Sequence, residues 1–152
     1  MIRIGLISDT HGLLRPEALA ALRGSDRIVH AGDIVDPADL ETLAQIAPVT
    51  AVRGNNDKGP WAVALAQTER LEVGGVKLFV IHDLNDLDID PAGADVQVIV
   101  SGHSHKPVVQ ERDGVLYVNP GSAGPRRFTL PIAAGELRIS GARVGARIRE
   151  LG

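Results

Sequence analysis

Five short stretches of the chain carry residues suited to holding metal ions: Asp9-Thr10-His11-Gly12, Gly32-Asp33, Gly54-Asn55-Asn56-Asp57, His82-Asp83 and Gly102-His103-Ser104-His105. Four of the five histidines lie in this set. Asp9, His11, Asp33, Asn55, His82, His103 and His105 together offer carboxylate, amide and imidazole donors. With no cysteine in the chain, no thiolate can be added to them. Donors of this kind suit Mn, Fe, Co, Ni or Zn. Two ions about 3.5–4 Å apart need roughly six or seven such groups, one of them a bridging carboxylate, so this set suffices for a two-metal cluster. Two divalent ions bring four positive charges against two carboxylates. A pocket left net positive suits a phosphate ester, whose anionic oxygens the ions would hold.

Each stretch alone also has a plainer reading. Asp-Thr-His-Gly and Gly-Asp are ordinary turn sequences in which Asp caps the backbone. Their shared position argues for one site: every stretch follows the C-terminal end of an apolar, β-branched run. The runs are Ile2 to Ile7, Arg27 to Ala31, Val49 to Arg53, Val76 to Ile81 and Val96 to Val100, and they read as buried strands. In open α/β sheets, ligands bind beyond that edge. Asp9 and His11 are two apart, as are His103 and His105, so in an extended strand end both members of a pair point to one side. Neighbouring strand ends lie about 4.8 Å apart, close enough to converge. The glycines at 12, 32, 54 and 102 permit backbone turns.

Helical patterns run from Pro16 to Leu22, Pro37 to Ile46 and, more weakly, Pro60 to Ala66, each with proline near its first turn. Strand and helix therefore alternate in the first half, which predicts a largely parallel sheet. Glu69 to Val73 is expected to join the next strand through a Gly74-Gly75 hairpin. After Val100 the spacing shortens, with strands expected at Val108–Glu111, Val115–Asn119, Pro131–Ala134, Leu137–Ile139 and Ala142–Arg149 in antiparallel arrangement. In the last of these, Val144, Ala146 and Ile148 alternate with arginines, placing the apolar groups inward. The whole chain, residues 1–152, is expected to form one domain: two stacked sheets with helices outside.

At 152 residues, with 44% hydrophobic and 23% charged residues, the chain has the make-up of an ordinary globular fold, which excludes disordered and fibrous classes. A strand beginning at Ile2 leaves no room for a leader, and no apolar stretch approaches the roughly 20 residues that span a bilayer. The expectation is a cytoplasmic protein. Residues 1–125 carry −7 and residues 126–152 carry +4, so the net charge of −3 hides an acidic body and a basic tail. The acidic body argues against nucleic acid as a partner. Arg126 and Arg127 read either as a phosphate clamp or as an exposed turn. Arg143, Arg147 and Arg149 read as a wet strand face or a dimer contact, which leaves homo-oligomerisation open. His30, inside an apolar strand, is expected to be buried behind the site rather than to be a ligand.

At these motifs the chain resembles the calcineurin-like metallophosphoesterases, specifically the small phosphodiesterases of the YfcE type. The resemblance extends from the Asp9/His11 motif to Asn119-Pro120-Gly121-Ser122. It implies an α/β fold, a four-layer αββα sandwich of two mixed sheets flanked by helices. It implies that Asp9, His11, Asp33 and His105 hold one metal and Asp33, Asn55, His82 and His103 the other, with Asp33 bridging. Two divalent ions are the implied cofactors, manganese first and Ni, Fe, Co or Zn as alternatives. The implied reaction is hydrolysis of a small phosphodiester by a hydroxide bridging the ions. Two positions depart from the family. Asn56 stands where larger members carry a His that acts on the leaving group, though small members often lack it; Asn56 cannot transfer a proton but can donate a hydrogen bond. Asp57 is expected beside it as an acceptor for a neighbouring loop or a metal-bound water. Asp83 stands where the family usually has Gly, so an extra carboxylate lies next to the site. The same fold also admits a phosphomonoesterase, a nuclease, or a non-catalytic scaffold resembling a retromer subunit.

Overall fold

In the computed structural model, which describes residues 1–152, ten strands and three helices follow one another. The first half runs β1 (Ile2–Ile7), α1 (Pro16–Leu22), β2 (Arg27–His30), α2 (Ala38–Ala44), β3 (Val49–Ala51), α3 (Pro60–Val63), β4 (Thr68–Val73) and β5 (Val76–Ile81). A 3-10 turn at Leu84–Asp86 follows, then β6 (Val98–Val100), β7 (Val108–Arg112), β8 (Val115–Asn119), β9 (Ala133–Ser140) and β10 (Arg143–Glu150). No helix is long and apolar enough to cross a membrane.

The alternating strands and helices produce the expected parallel core. β1, β2 and β3 pair in parallel through the crossovers α1 and α2, as parallel neighbours require. Proline in the first turn of α1 occupies a position whose N–H would have had no partner anyway, and Ala18, Ala21 and Leu22 bury one helical face. β9 returns to pair antiparallel with β1, and β10 with β9, giving one sheet of order β10-β9-β1-β2-β3. The other sheet has order β4-β5-β6-β8-β7. Both are mixed, and they stack through Ile4, Leu6 and Val29 on one side and Leu78, Val80, Val98 and Val100 on the other.

Four details differ from expectation. Residues 131–139 do not form two strands: β9 is continuous through Gly135 and Glu136, which stay in register with Leu6 and Gly5 of β1. The late strands are not all antiparallel, since β8 lies parallel to β6. β6 begins at Val98 because Val96 is held in a turn by its N–H bond to the Pro91 carbonyl. Helical cover is uneven: α1 and α2 supply Ala18, Leu22 and Leu43 to the first sheet, while the second receives only the short 3-10 turn at Leu84–Asp86. The outer face of the second is closed by the segment from Leu84 to Val96, whose Leu84, Leu87, Ile89 and Val96 pack on Phe79, Ile81 and Ile99.

Candidate metal centre

All seven candidate ligands lie just past strand ends: Asp9 and His11 after β1, Asp33 after β2, Asn55 after β3, His82 after β5, and His103 and His105 after β6. At five of the seven the backbone is not extended. Asp9, His11, Asp33, His103 and His105 have φ of 54°, 49°, 59°, 71° and 64°. Left-handed backbone is uncommon outside glycine, tolerated best by Asn, Asp and His, and costs roughly 1–2 kcal/mol per residue. Convergence therefore comes from successive left-handed turns and not from the period of two. The pair His103/His105 shows the difference: the His105 side chain is 3% exposed and that of His103 44%.

Two close approaches hold these turns in place. A Cβ on Gly54 would lie 2.2 Å from Asp33 Oδ1 and 2.3 Å from Asp33 N; one on Gly102 would lie 2.1 Å from Ser8 Oγ and 2.7 Å from Asp9 Oδ2. These glycines serve by their lack of a side chain, since neither has positive φ. The loops after β2 and β3 are further joined by Asp57, whose carboxylate accepts N–H groups from Asp33, Ile34, Val35 and Gly54 at 2.8–3.0 Å.

The two carboxylates form the middle of the site. Asp9 Oδ1 lies 3.5 Å from His105 Nε2 and 3.9 Å from both His11 Nε2 and His82 Nε2. Asp33 Oδ2 lies 3.3 Å from His82 Nε2 and 3.6 Å from His11 Nε2. Two groups of donors result, Asp9/His11/His105 and Asp9/Asp33/His82, each with ligand atoms within 4.8 Å of one another. Asn55 Oδ1 sits 3.0 Å from His82 Nε2 and 3.2 Å from His103 Nδ1, so His103 reaches the centre through Asn55 and belongs to neither group.

Their orientation suits a cation. His82 Nδ1 donates to the Ala31 carbonyl at 2.7 Å, which turns Nε2 toward Asp33 Oδ2 and Asn55 Oδ1. Asp9 Oδ2 accepts Ser8 Oγ at 2.7 Å and His103 N at 3.0 Å, while its Oδ1 is buried with no hydrogen-bond partner. His11 Nε2 and His105 Nδ1 are likewise buried and unpartnered. Unsatisfied polar atoms are costly to bury. Asp9 Oδ1 and His11 Nε2, which lie among the converging donors, fit a divalent ion.

The electrostatics agree. Burial would raise Asp33, but bonds from His82 and Asn56 outweigh it and hold its carboxyl below the usual range. Burial pushes Asp9 up despite its Ser8 bond. Burial would lower His82, yet its contact with Asp33 and the charges of Asp9 and Asp33 hold its pKa above the ordinary value. His105 is lowered by burial, with Asp9 opposing and Arg127 assisting.

The remaining sequence candidates divide. Asn56 donates both its backbone N–H, to Asp33 Oδ1 at 2.8 Å, and its amide, to Asp33 Oδ2 at 3.0 Å. His30 is fully buried, accepting Gly32 N–H at Nδ1 and contacting Thr10 Oγ1 at 3.0 Å through Nε2. Arg126 bonds the Leu130 and Gly152 carbonyls in an exposed turn, whereas Arg127 acts on His105 by its charge. Sequence reasoning missed Ser8, whose hydroxyl donates to the Asp9 carboxylate and whose only signal was adjacency to a motif, and gave no role to Ser122, named within the Asn119–Ser122 segment, whose hydroxyl donates to the Asp9 carbonyl. It also missed a cavity of about 420 Å³ against Asn55 and His82, walled by Arg53, Asp83, Asp86 and Asp88.

Two stacked mixed sheets with carboxylates and imidazoles gathered at their shared edge define a metallophosphoesterase-type sandwich. Residues 2–140 match the calcineurin-like phosphoesterase superfamily domain, and the chain belongs to that superfamily. Among curated relatives it is 35% identical to a "Probable metallophosphoesterase" of Methanothermobacter thermautotrophicus, over 98% of this chain and 92% of that one. It is 30% identical to phosphodiesterase YfcE of Escherichia coli, over 90% and 88% of the two chains. Among solved structures, Vps29 of Entamoeba histolytica complexed with Zn²⁺ superposes with a TM-score of 0.77 at 22% identity, covering 99% of this chain and all of that one.

Proposed function

We propose that the protein is a dinuclear metal-dependent phosphodiesterase acting on a small diester. The observation that carries this reading is the pair of buried, unpartnered atoms Asp9 Oδ1 and His11 Nε2 beside the Asp33–His82–Asn55 convergence. Asp9, His11, Asp33 and His105 would hold one ion and Asp33, Asn55, His82 and His103 the other. Asp33 would be the carboxylate shared between the two, as the resemblance implies: its Oδ2 lies within 3.6 Å of both His11 and His82, whereas Asp9 Oδ1, common to both donor groups, approaches the same histidines only at 3.9 Å. When bound, such ions supply Lewis-acid charge to the phosphoryl oxygens and activate water. The chain's own part is orientation. Asn56 keeps the Asp33 carboxylate aligned and offers an amide donor at the rim, while Asp57 fixes the loops that carry Asp33 and Asn55. The cavity beside His82 is placed to receive one alcohol of the ester. Relatives named phosphodiesterase support a diester, and manganese is the first metal to test, with zinc next because a neighbour of this fold is described with Zn²⁺. The complete donor set weighs against the scaffold alternative.

The test is hydrolysis of bis(p-nitrophenyl) phosphate and of the monoester with Mn²⁺, Ni²⁺ or Zn²⁺, followed by EDTA, for wild type and Asp33→Asn. Diester turnover that exceeds monoester turnover and disappears with EDTA and in the variant is expected. Turnover indifferent to chelation would overturn the metal assignment.

A further inference from the structure

Resting on the dinuclear reading, we infer that His30 is a positioning residue: by bonding Thr10 on one side and Gly32 on the other, it locks the turn that carries Asp9 and His11 to the turn that carries Asp33. The ring lies fully buried at the end of β2. A backbone donor settles which nitrogen accepts. Gly32 N–H donates to Nδ1 at 3.1 Å, so in the neutral ring Nε2 carries the hydrogen and donates it to Thr10 Oγ1 at 3.0 Å. Both distances are within hydrogen-bond range. With both nitrogens engaged, His30 has none left for an ion, and its effect on the site passes through the two turns.

The two bonds fall where the backbone is strained. Asp9 and His11, on either side of Thr10, have φ of 54° and 49°, and Gly32 and Asp33 have 103° and 59°. Such backbone persists only where its surroundings over-determine it. Main-chain bonds already cross between the turns, from Asp9 N–H to the Gly32 carbonyl at 3.0 Å and from His11 N–H to the Asp33 carbonyl at 2.9 Å. Ser122 Oγ holds the Asp9 carbonyl at 3.0 Å. None of these bonds uses the Thr10 hydroxyl or the Gly32 N–H, and His30 satisfies both. The position calls for one acceptor and one donor on a rigid frame with no further polar hydrogen, which a neutral imidazole supplies; an amide there would bury a second N–H without a partner.

Thr10→Val removes the hydroxyl at nearly constant shape, Thr10→Ser keeps it, and Ile28→Val trims the buried core two residues earlier on β2 as a control for general destabilisation. The test combines three measurements: Mn²⁺ calorimetry, amide hydrogen exchange of the metal-free protein, and the ¹⁵N–¹H correlation spectrum of the histidine side chains in wild type. Wild type is expected to bind two ions and to show His30 as the Nε2–H tautomer. Thr10→Val should speed exchange of the Asp9 and His11 amides about 10-fold relative to those of β4 and β5. It should also weaken Mn²⁺ binding about 10-fold, the lower end for groups standing behind metal ligands. Thr10→Ser should restore both, and Ile28→Val should show neither. Wild-type affinity in Thr10→Val, with or without faster exchange, overturns the inference and leaves the dinuclear reading standing, as does a His30 ring protonated at Nδ1. A wild type that binds fewer than two ions overturns the dinuclear reading instead, and amide exchange and the His30 tautomer then decide by themselves whether the ring locks the two turns.

Discussion

Asp57 Oδ2 accepts the backbone N–H of Asp33 at 3.0 Å, so a residue of the loop after β3 sets the backbone that aims a central carboxylate after β2. The same oxygen takes Gly54 N–H at 2.8 Å, and Oδ1 takes those of Ile34 and Val35, both at 2.8 Å. Asp57→Asn removes the charge and turns an NH2 group toward these donors. Bonds to charged acceptors contribute about 1.5–3 kcal/mol each, so the variant should lose about 3 kcal/mol. That corresponds to roughly 6–12 °C in thermal unfolding followed by circular dichroism. A shift under about 2 °C would mean that the loops hold without Asp57.

Gly54 makes a sharper test of the same junction. A methyl group there would lie 2.2 Å from Asp33 Oδ1 and 2.3 Å from Asp33 N, and both must move if the chain is to fold. Gly54→Ala is expected to cost about 1–3 kcal/mol, as overpacking does, and to remove high-affinity Mn²⁺ binding in calorimetry. Gly75→Ala serves as the control, because no atom lies within 4 Å of its added Cβ even though its φ is 81°. Strain at Gly75 alone should reduce stability and leave metal binding intact.

These two residues mark how far sequence reasoning reaches. The parallel strands and the strand ends that carry the seven candidate ligands were legible because apolar β-branched runs end abruptly in Asp, Asn and His. The left-handed turns were not, since Asp, Asn and His leave the same signature in a turn as at a strand end. β9 was read as two pieces because Gly135 and Glu136 interrupt its apolar pattern, and only the fold supplies Arg3 to cover Glu136. The role of Asp57 was half visible: an acceptor was expected, but four N–H groups from two loops meet only in three dimensions. The helical cover expected on the second sheet is a turn and an irregular segment, whose spaced apolar residues carry no clear period.

His30 predicts an acid-sensitive fold. Burial, assisted by His82, pushes its pKa down to about 3 from the ordinary 6.5, and both ring nitrogens are engaged in the neutral form. The unfolded chain therefore takes up a proton below pH 6.5 that folded His30 refuses until about pH 3. Stability falls as pH drops through that window, with a slope approaching about 1.4 kcal/mol per pH unit. His30→Gln lacks this dependence. The stability difference between wild type and variant, measured by urea unfolding in EDTA, should shift against wild type by about 2 kcal/mol between pH 7.5 and pH 5. A constant difference would show that His30 titrates normally.

Glu136 carries the opposite pH dependence. Burial would raise its carboxyl, but Arg3 first and Arg138 second hold it below the ordinary 4.5. Arg3 bonds Glu136 and also donates to the Arg23 and Ala21 carbonyls at 2.6 and 2.7 Å, so one guanidinium ties β9 to β1 and to the end of α1. A carboxyl with a depressed folded pKa adds stability above its unfolded pKa and loses it as pH falls through the folded value. The pair is only partly shielded, so Glu136→Gln should cost about 1–2 kcal/mol at pH 7, between surface and buried ion pairs. That cost should shrink toward zero as pH falls through the folded pKa, which lies below 4.5. Arg3→Met also breaks two carbonyl bonds and should cost more than Glu136→Gln at pH 7. If the two substitutions proved equal, the helix tie would contribute nothing and the ion pair alone would account for the burial of Arg3.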